Sequence, residues 1–169
     1  LTGVYQPDKG SYIEFDNVDV TSKPAHYIAG KGLSRTFQLL RLYGELSVLD
    51  NVLVGFHPHT KYSPFAPFFN GSEVRRQDQI VKEQMFELLE FIGLAEHAEI
   101  PAAELSGGQR RLLALGRAIA MRPKMLLLDE PGAGLSPANI DNLMDTIMTL
   151  KERYNLTIVV VEHILNVVM

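Results

Sequence analysis

Two short apolar runs separated by a helical pattern constrain the fold of this chain more than any other feature. Residues 125–128 form a continuous apolar run that ends in Asp129 and Glu130, and residues 157–161 form a second run. Such runs predict strands buried on both faces, as in parallel sheets. Between them, from Ser136 and Pro137 onward, apolar side chains recur at helical spacing. Because a strand, a helix and a strand in this order form a right-handed crossover, we expect an α/β fold with a parallel sheet.

The rest of the chain divides into an N-terminal mixed part and a helical middle. In the first part we predict paired strands within residues 10–20, a short helix over 24–29 and an extended run over 33–37. In the middle we predict helices over residues 47–55, 72–92 and 106–121, with Ser47 and Ser106 as caps and Gly93 as a stop. We therefore predict that residues 1–40 and 122–169 are two pieces of one core and that residues 41–121 are an inserted helical subdomain.

The sequence Leu105-Ser106-Gly107-Gly108-Gln109 opens the last of these helices. The first turn of a helix leaves backbone N–H groups without partners and carries the positive end of the helix dipole, so it attracts anions. The glycines allow a phosphate to approach the backbone closely, and the Ser106 hydroxyl adds a donor. The same residues fit a capping box between Ser106 and Gln109. The sequence predicts a phosphate contact here, with simple helix capping as the structural alternative.

Polar residues follow three of the predicted strands. Asp129 and Glu130 come directly after the run 125–128, at the carboxyl edge where α/β sheets bind ligands. Asp129 can hold a hydrated magnesium ion, and Glu130 can polarise an attacking water. His163 follows the strand 157–161 and would reach the same edge, and Gln38 follows the extended run 33–37. The remaining histidines are interpreted as structural: His26, His57, His59 and His97.

Composition and charge exclude several classes of protein. The formal net charge of −4 provides no basic footprint, so no nucleic-acid partner is predicted. The mild basic cluster on one helix is interpreted as a solvated face with local pairing: Arg110, Arg111, Arg117 and Arg122. With no cysteine, these 169 residues can form neither a disulfide nor a thiolate metal site. The longest apolar runs are far shorter than the roughly 20 residues that a membrane-spanning helix needs.

Taken together, these motifs resemble those of one family over essentially the whole chain. Gln38, residues 105–109, residues 126–131 and His163 resemble the Q-loop, signature motif, Walker B motif and switch histidine of ABC ATPases. Three further segments, residues 35–38, 51–54 and 160–163, resemble the ATP-binding subunits of branched-chain amino acid importers and of their amide and urea relatives. The resemblance implies a partial P-loop NTPase (RecA-like) core with an inserted α-helical signature subdomain.

The resemblance also implies ATP and Mg²⁺ as cofactors. In the family, two subunits enclose two ATP molecules head to tail. The signature residues would then touch the γ-phosphate of ATP held by a second subunit: Ser106, Gly107, Gly108 and Gln109. The other roles implied are metal contact for Asp129 and Gln38, general base for Glu130, and γ-phosphate contact for His163. Ser136 would make D-loop contacts, at a position where many relatives have aspartate.

The implied partners are a second ATP-binding subunit, the same or different, and transmembrane permease subunits. A solute-binding protein is expected in the full system, and the location would be peripheral, at the cytoplasmic face of the membrane. The helical part near residues 38–54 would accept a coupling helix of the permease.

One element of the family is missing from the 169 residues. They contain no Gly-x-x-x-x-Gly-Lys-Ser/Thr loop, since Gly30-Lys31-Gly32 has neither its spacing nor its following residue. In the family this P-loop lies shortly before the segment that residues 1–10 resemble, so we interpret the chain as an incomplete subunit that is inactive alone. We also expect the strand 125–128 to lack a neighbour, and the isolated chain to be marginally stable or to aggregate.

Other functions remain open from sequence. An ABC exporter ATPase of the lipopolysaccharide type would share every catalytic motif. A soluble ABC ATPase acting on nucleic acid or ribosomes usually adds coiled coils or a second cassette, so the compact stretch between Gln38 and Leu105 favours a transporter. A non-catalytic interaction role is the third alternative.

Overall fold

The N-terminal part of the protein is a small hairpin and a helix around their own core. The computed structural model describes residues 2–36, 42–57 and 71–162, without the side chains of 71–73. Strands β1 (Glu14–Phe15) and β2 (Val18–Asp19) pair antiparallel and are followed by helix α1 (Ala25–Gly30). The hairpin turn uses Asp16 and Asn17, whose φ angles of 52° and 59° are those a two-residue hairpin loop requires. The paired strands and the short helix predicted here are confirmed, with shorter strands.

Among the described residues four longer helices follow, close to their predicted bounds: α2 (Val48–Phe56), α3 (Gly71–Phe91), α4 (Gly107–Ala120) and α5 (Pro137–Tyr154). The predicted caps explain these bounds. The Ser47 Oγ accepts a hydrogen bond from Asp50 N at 3.0 Å at the start of α2. Gly93, with φ 71°, ends α3, and Leu94 N then donates to Leu89 O at 2.8 Å.

The main sheet has three parallel strands in the described part of the chain. These are β3 (Leu33–Thr36), β4 (Met125–Asp129) and β5 (Thr157–Val161), in the order β3-β4-β5. Arg35 lies opposite Leu127, and Asp129 lies opposite Val161. The expectation that strand 125–128 lacks a neighbour is wrong, because β4 pairs along both of its edges. The predicted parallel crossover through α5 is confirmed.

The prediction that β5 is buried on both faces is also wrong. Its residues alternate between exposed and half-buried, and Val159 and Val161 are 41% and 52% exposed. In β4, by contrast, Leu126 and Leu128 are buried. An apolar run indicates that both faces of a strand can be buried, but it does not indicate which elements cover them.

A single large core connects the helical middle to the sheet. Its fully buried members include Leu89 of α3, Leu113 of α4, Leu126 of β4 and Leu150 of α5. The α/β class is therefore confirmed, while the proposed boundaries at residues 40/41 and 121/122 stay predictions. Among the helices of the described ranges, none combines the length and the apolar character needed to span a bilayer.

Candidate phosphate-binding site

The signature sequence forms the capped start of α4. Ser106 N donates to Gln109 Oε1 at 2.9 Å, and Gln109 N donates to Ser106 Oγ at 3.3 Å, so the predicted capping box is present. In these contacts the Ser106 oxygen only accepts. Its own proton therefore remains available to an anion above the helix.

The first turn of α4 is open in the described structure. Ser106 and Gly107 are exposed, and a Cβ atom added to Gly107 or Gly108 would meet no described atom within 4 Å. A groove of about 740 Å³ lies between this turn and the segment that precedes α5. Ser136, the exposed N-cap of α5, lines the same groove and makes no side-chain capping bond. The structure thus brings all the predicted signature residues and Ser136 around one space large enough for a phosphate group.

Asp129 and Glu130 lie at the carboxyl end of β4, as predicted. Glu130 takes a left-handed φ of 47°, and its backbone N donates to Val161 O at 2.8 Å, which ties the ends of β4 and β5 together. Both acidic residues line a small cavity of about 30 Å³, together with Thr36 and Arg111. This cavity is separate from the signature groove, and Arg111 lines both.

An arginine that the sequence analysis did not assign contacts the proposed metal ligand. Arg35 Nη2 lies 2.6 Å from Asp129 Oδ2, and both side chains are half-buried. The contact follows from the strand order, because Arg35 on β3 is in register with Leu127, two residues before Asp129. Asp129 itself fits a magnesium site in its chemistry, since it offers carboxylate oxygens at the open edge of a parallel sheet. A metal there would share this carboxylate with the Arg35 guanidinium.

The turn after Glu130 is held from two sides by residues that sequence reasoning missed. Glu162, directly after β5, accepts a hydrogen bond from Gly132 N at 2.6 Å through Oε1. From the other side, Arg111 of α4 donates to Ala133 O through Nη2. These contacts connect the acidic strand end to the signature helix, so the two predicted motifs are parts of one structural unit.

The basic cluster has two solvated members and two that pair locally, in agreement with the interpretation from sequence. Arg111 and Arg117 are half-buried, and burial lowers the pKa of each guanidinium; the charge of Glu162 opposes this shift at Arg111. The Arg117 guanidinium also lies 5.7 Å from the centre of the Tyr43 ring. Arg110 and Arg122 are exposed, as expected. The proposed contacts of Gln38 and His163 lie outside the described residues.

The fold and the site define the class: an α/β protein with an open, capped helix start and a carboxylate pair at the carboxyl edge of a parallel sheet. Residues 1–133 match the family described as ABC transporter, and the chain belongs to this family. The resemblance stated from the motifs is thereby confirmed.

Among curated proteins, the chain is similar to branched-chain amino acid transport ATP-binding proteins. It is 38% identical over 169 residues to the high-affinity protein BraF of Pseudomonas aeruginosa, covering 100% of this chain and 66% of that protein. It is 34% identical to the probable protein LivG of Methanocaldococcus jannaschii, covering 100% of this chain and 64% of that protein. The chain therefore spans slightly less than two thirds of the length of these relatives.

Solved structures show the same relationship. An ATP-binding cassette of an ABC transporter in its ADP conformation superimposes with a TM-score of 0.77 and 33% identity, over 99% of this chain and 64% of that one. A second, cbiO1 of Clostridium perfringens, part of an ABC transporter complex, superimposes with a TM-score of 0.76 and 25% identity, over 99% of this chain and 61% of that one.

Proposed function

We propose that this chain is part of an ATP-hydrolysing subunit that powers an ABC importer, for branched-chain amino acids or related amides. One observation carries the proposal. The first turn of α4 is capped by Ser106 and Gln109 and opens on a groove of about 740 Å³, and a Cβ atom added to either of its glycines would meet no described atom within 4 Å. The names of the curated relatives, branched-chain amino acid transport ATP-binding proteins, support the amino-acid transport part of the proposal.

In this proposal the signature residues act on a nucleotide that a second ATP-binding subunit holds. The Ser106 hydroxyl and the backbone N–H groups of Gly107 and Gly108 donate to the oxygens of its γ-phosphate, and Gln109 keeps the turn in place. The D-loop residue Ser136, across the groove, faces the same second subunit. The open space above the glycines supports this arrangement, because the chain's own described atoms leave room for another body.

The acidic strand end acts on the nucleotide of its own subunit. Glu130 accepts a proton from the attacking water while the water oxygen bonds to the γ-phosphorus and the bond to the ADP oxygen breaks. Asp129 and Gln38 would hold Mg²⁺, which neutralises phosphate charge when it is bound. His163 would contact the γ-phosphate. Since the 169 residues contain no P-loop, the chain alone is expected to be inactive.

The proposed partners are a second ATP-binding subunit, transmembrane permease subunits and a solute-binding protein. The subunit would sit peripherally at the cytoplasmic face of the membrane, with its helical part near residues 38–54 against the permease.

The test is Glu130→Gln in a complete subunit that includes this chain and a P-loop. ATP binding should persist, because the amide keeps the size of the side chain. Hydrolysis should fall by about 100-fold or more, as expected when a general base is lost. ATP-dependent dimers should accumulate, since the bound ATP is no longer consumed. Radiolabelled phosphate release and size-exclusion chromatography measure the two effects.

The matched control is Glu152→Gln, an exposed glutamate near the end of α5. It removes the same charge away from the site, so hydrolysis should stay within about twofold of the parent. Undiminished turnover in Glu130→Gln would exclude Glu130 as the base, and a failure of ATP to dimerise either protein would count against the shared site.

A further inference from the structure

A histidine outside the recognised motifs touches the signature sequence. His97 Nε2 lies 2.6 Å from Gln109 Nε2, and the His97 side chain is half-buried. The distance is that of a short hydrogen bond, so one nitrogen donates and the other accepts.

The capping box decides which nitrogen donates. Ser106 N can only donate, so the Gln109 atom that faces it at 2.9 Å is the carboxamide oxygen. The Gln109 NH₂ group therefore points at His97. Because that group can only donate, His97 Nε2 must accept, which places the proton of the neutral ring on Nδ1.

His97 is itself fixed by the backbone around it. Its N donates to Leu94 O at 3.0 Å, and its carbonyl accepts from Ile100 N at 3.2 Å. The residues that follow are bonded to the start of α2: Leu49 N donates to Ala98 O at 2.9 Å, and Val48 N donates to Ile100 O at 3.0 Å. The imidazole thus belongs to a segment whose backbone is hydrogen-bonded to the start of α2.

We propose that His97 is a positioning residue for the signature motif. By accepting from Gln109, it holds the carboxamide in the orientation that pairs with Ser106 N, and so keeps the Ser106 hydroxyl and the glycine N–H groups aimed at the partner's nucleotide. The effect of His97 on ATP binding rests on the proposed function, whereas the hydrogen bond between His97 and Gln109 does not.

The first experiment is ¹⁵N NMR of the His97 ring in the complete subunit at alkaline pH. The expected result for the parent protein is an unprotonated Nε2 and a protonated Nδ1. In Gln109→Glu one carboxylate oxygen still accepts from Ser106 N, while the other faces His97, so Nε2 should become protonated. A protonated Nε2 in the parent, or an unchanged ring in Gln109→Glu, would overturn the proposal whatever the nucleotide does.

The second experiment compares two substitutions of His97 in ATP-driven dimerisation. His97→Leu removes the acceptor, and the ATP concentration needed for half-maximal dimerisation should rise about tenfold, the loss expected for one hydrogen bond. His97→Gln can place its amide oxygen where Nε2 lies, so it should restore the parent value within about twofold. Melting curves of both variants establish that they fold.

Equal behaviour of the two variants, whether both normal or both impaired, would overturn the positioning role. If the parent itself fails to dimerise with ATP, the proposed function fails and the NMR result alone decides on His97.

Discussion

Asn51 lies in the first turn of α2, and its side chain is fully buried, at 0% exposed. Its Oδ1 accepts from Tyr43 N at 3.0 Å, and its Nδ2 donates to Tyr43 O at 2.9 Å, to Ser47 O at 3.0 Å and to Leu46 O at 3.3 Å. A buried amide is tolerated when its polar atoms are paired, and this one pairs entirely with backbone. One side chain therefore fixes the path of residues 43–47 against α2.

Replacing this side chain tests its role. Asn51→Leu keeps the approximate volume but leaves several backbone groups around residues 43–47 without partners, so the free energy of unfolding should fall by about 3 kcal/mol. Urea denaturation at low protein concentration measures the change. As control, Asn142→Ala removes an exposed asparagine from α5 and should stay within about 0.5 kcal/mol of the parent. An unchanged midpoint for Asn51→Leu would contradict the assignment.

At the scale of elements, the contact between α2 and α4 depends on a close approach at Gly55. A Cβ atom built there would overlap the backbone oxygen of Arg117, and would lie 2.9 Å from Arg117 Cγ and 3.2 Å from Ala120 Cβ. Helix α2 is hydrogen-bonded to the segment that precedes the signature motif, and α4 begins with the motif itself. The separation of the two helices therefore determines how the motif is supported.

Gly55→Ala should therefore destabilise the chain although alanine favours helices. Overpacking should outweigh the gain in helix propensity and lower the free energy of unfolding by about 2 kcal/mol, as measured by urea denaturation. The matched control is Gly108→Ala, where the added methyl group meets nothing described within 4 Å and stability should be unchanged or slightly higher. If Gly55→Ala instead raises the free energy of unfolding, α2 and α4 can move apart without loss of stability.

The elements that sequence predicted well are those fixed by local chemistry. Ser47, Gly93 and Ser106 each act through neighbours within a few residues, so their sequence spacing located the helix ends to within about a residue. The signature turn and the acidic strand end were predicted for the same reason. The contacts of Arg35 with Asp129 and of Arg111 with Ala133 could not be predicted this way, because they depend on strand order and helix placement, which no local pattern contains.

At the scale of the whole molecule, the distribution of exposed apolar surface matters most. In the described part of the chain β3 and β5 each have a strand on one side only, and Val159 and Val161 project from the exposed face of β5. Apolar strand surface beside an unpaired edge promotes association. The sequence analysis attributed the expected association of the isolated chain to an unpaired edge of β4. The exposed apolar strand surface lies on β5 instead.

The isolated 169-residue chain should accordingly melt at a temperature that depends on its concentration, and should form oligomers in sedimentation velocity experiments. Val159→Lys places a charge on the exposed face of β5 and should weaken association by about tenfold, the effect expected from losing the burial of one valine. Val54→Lys is the matched control, because Val54 is also 41% exposed but lies on α2, so association should be unchanged.

If the parent chain melts sharply, reversibly and independently of concentration, β5 is not an association surface. If both lysine variants weaken association equally, net charge and not the β5 face is responsible.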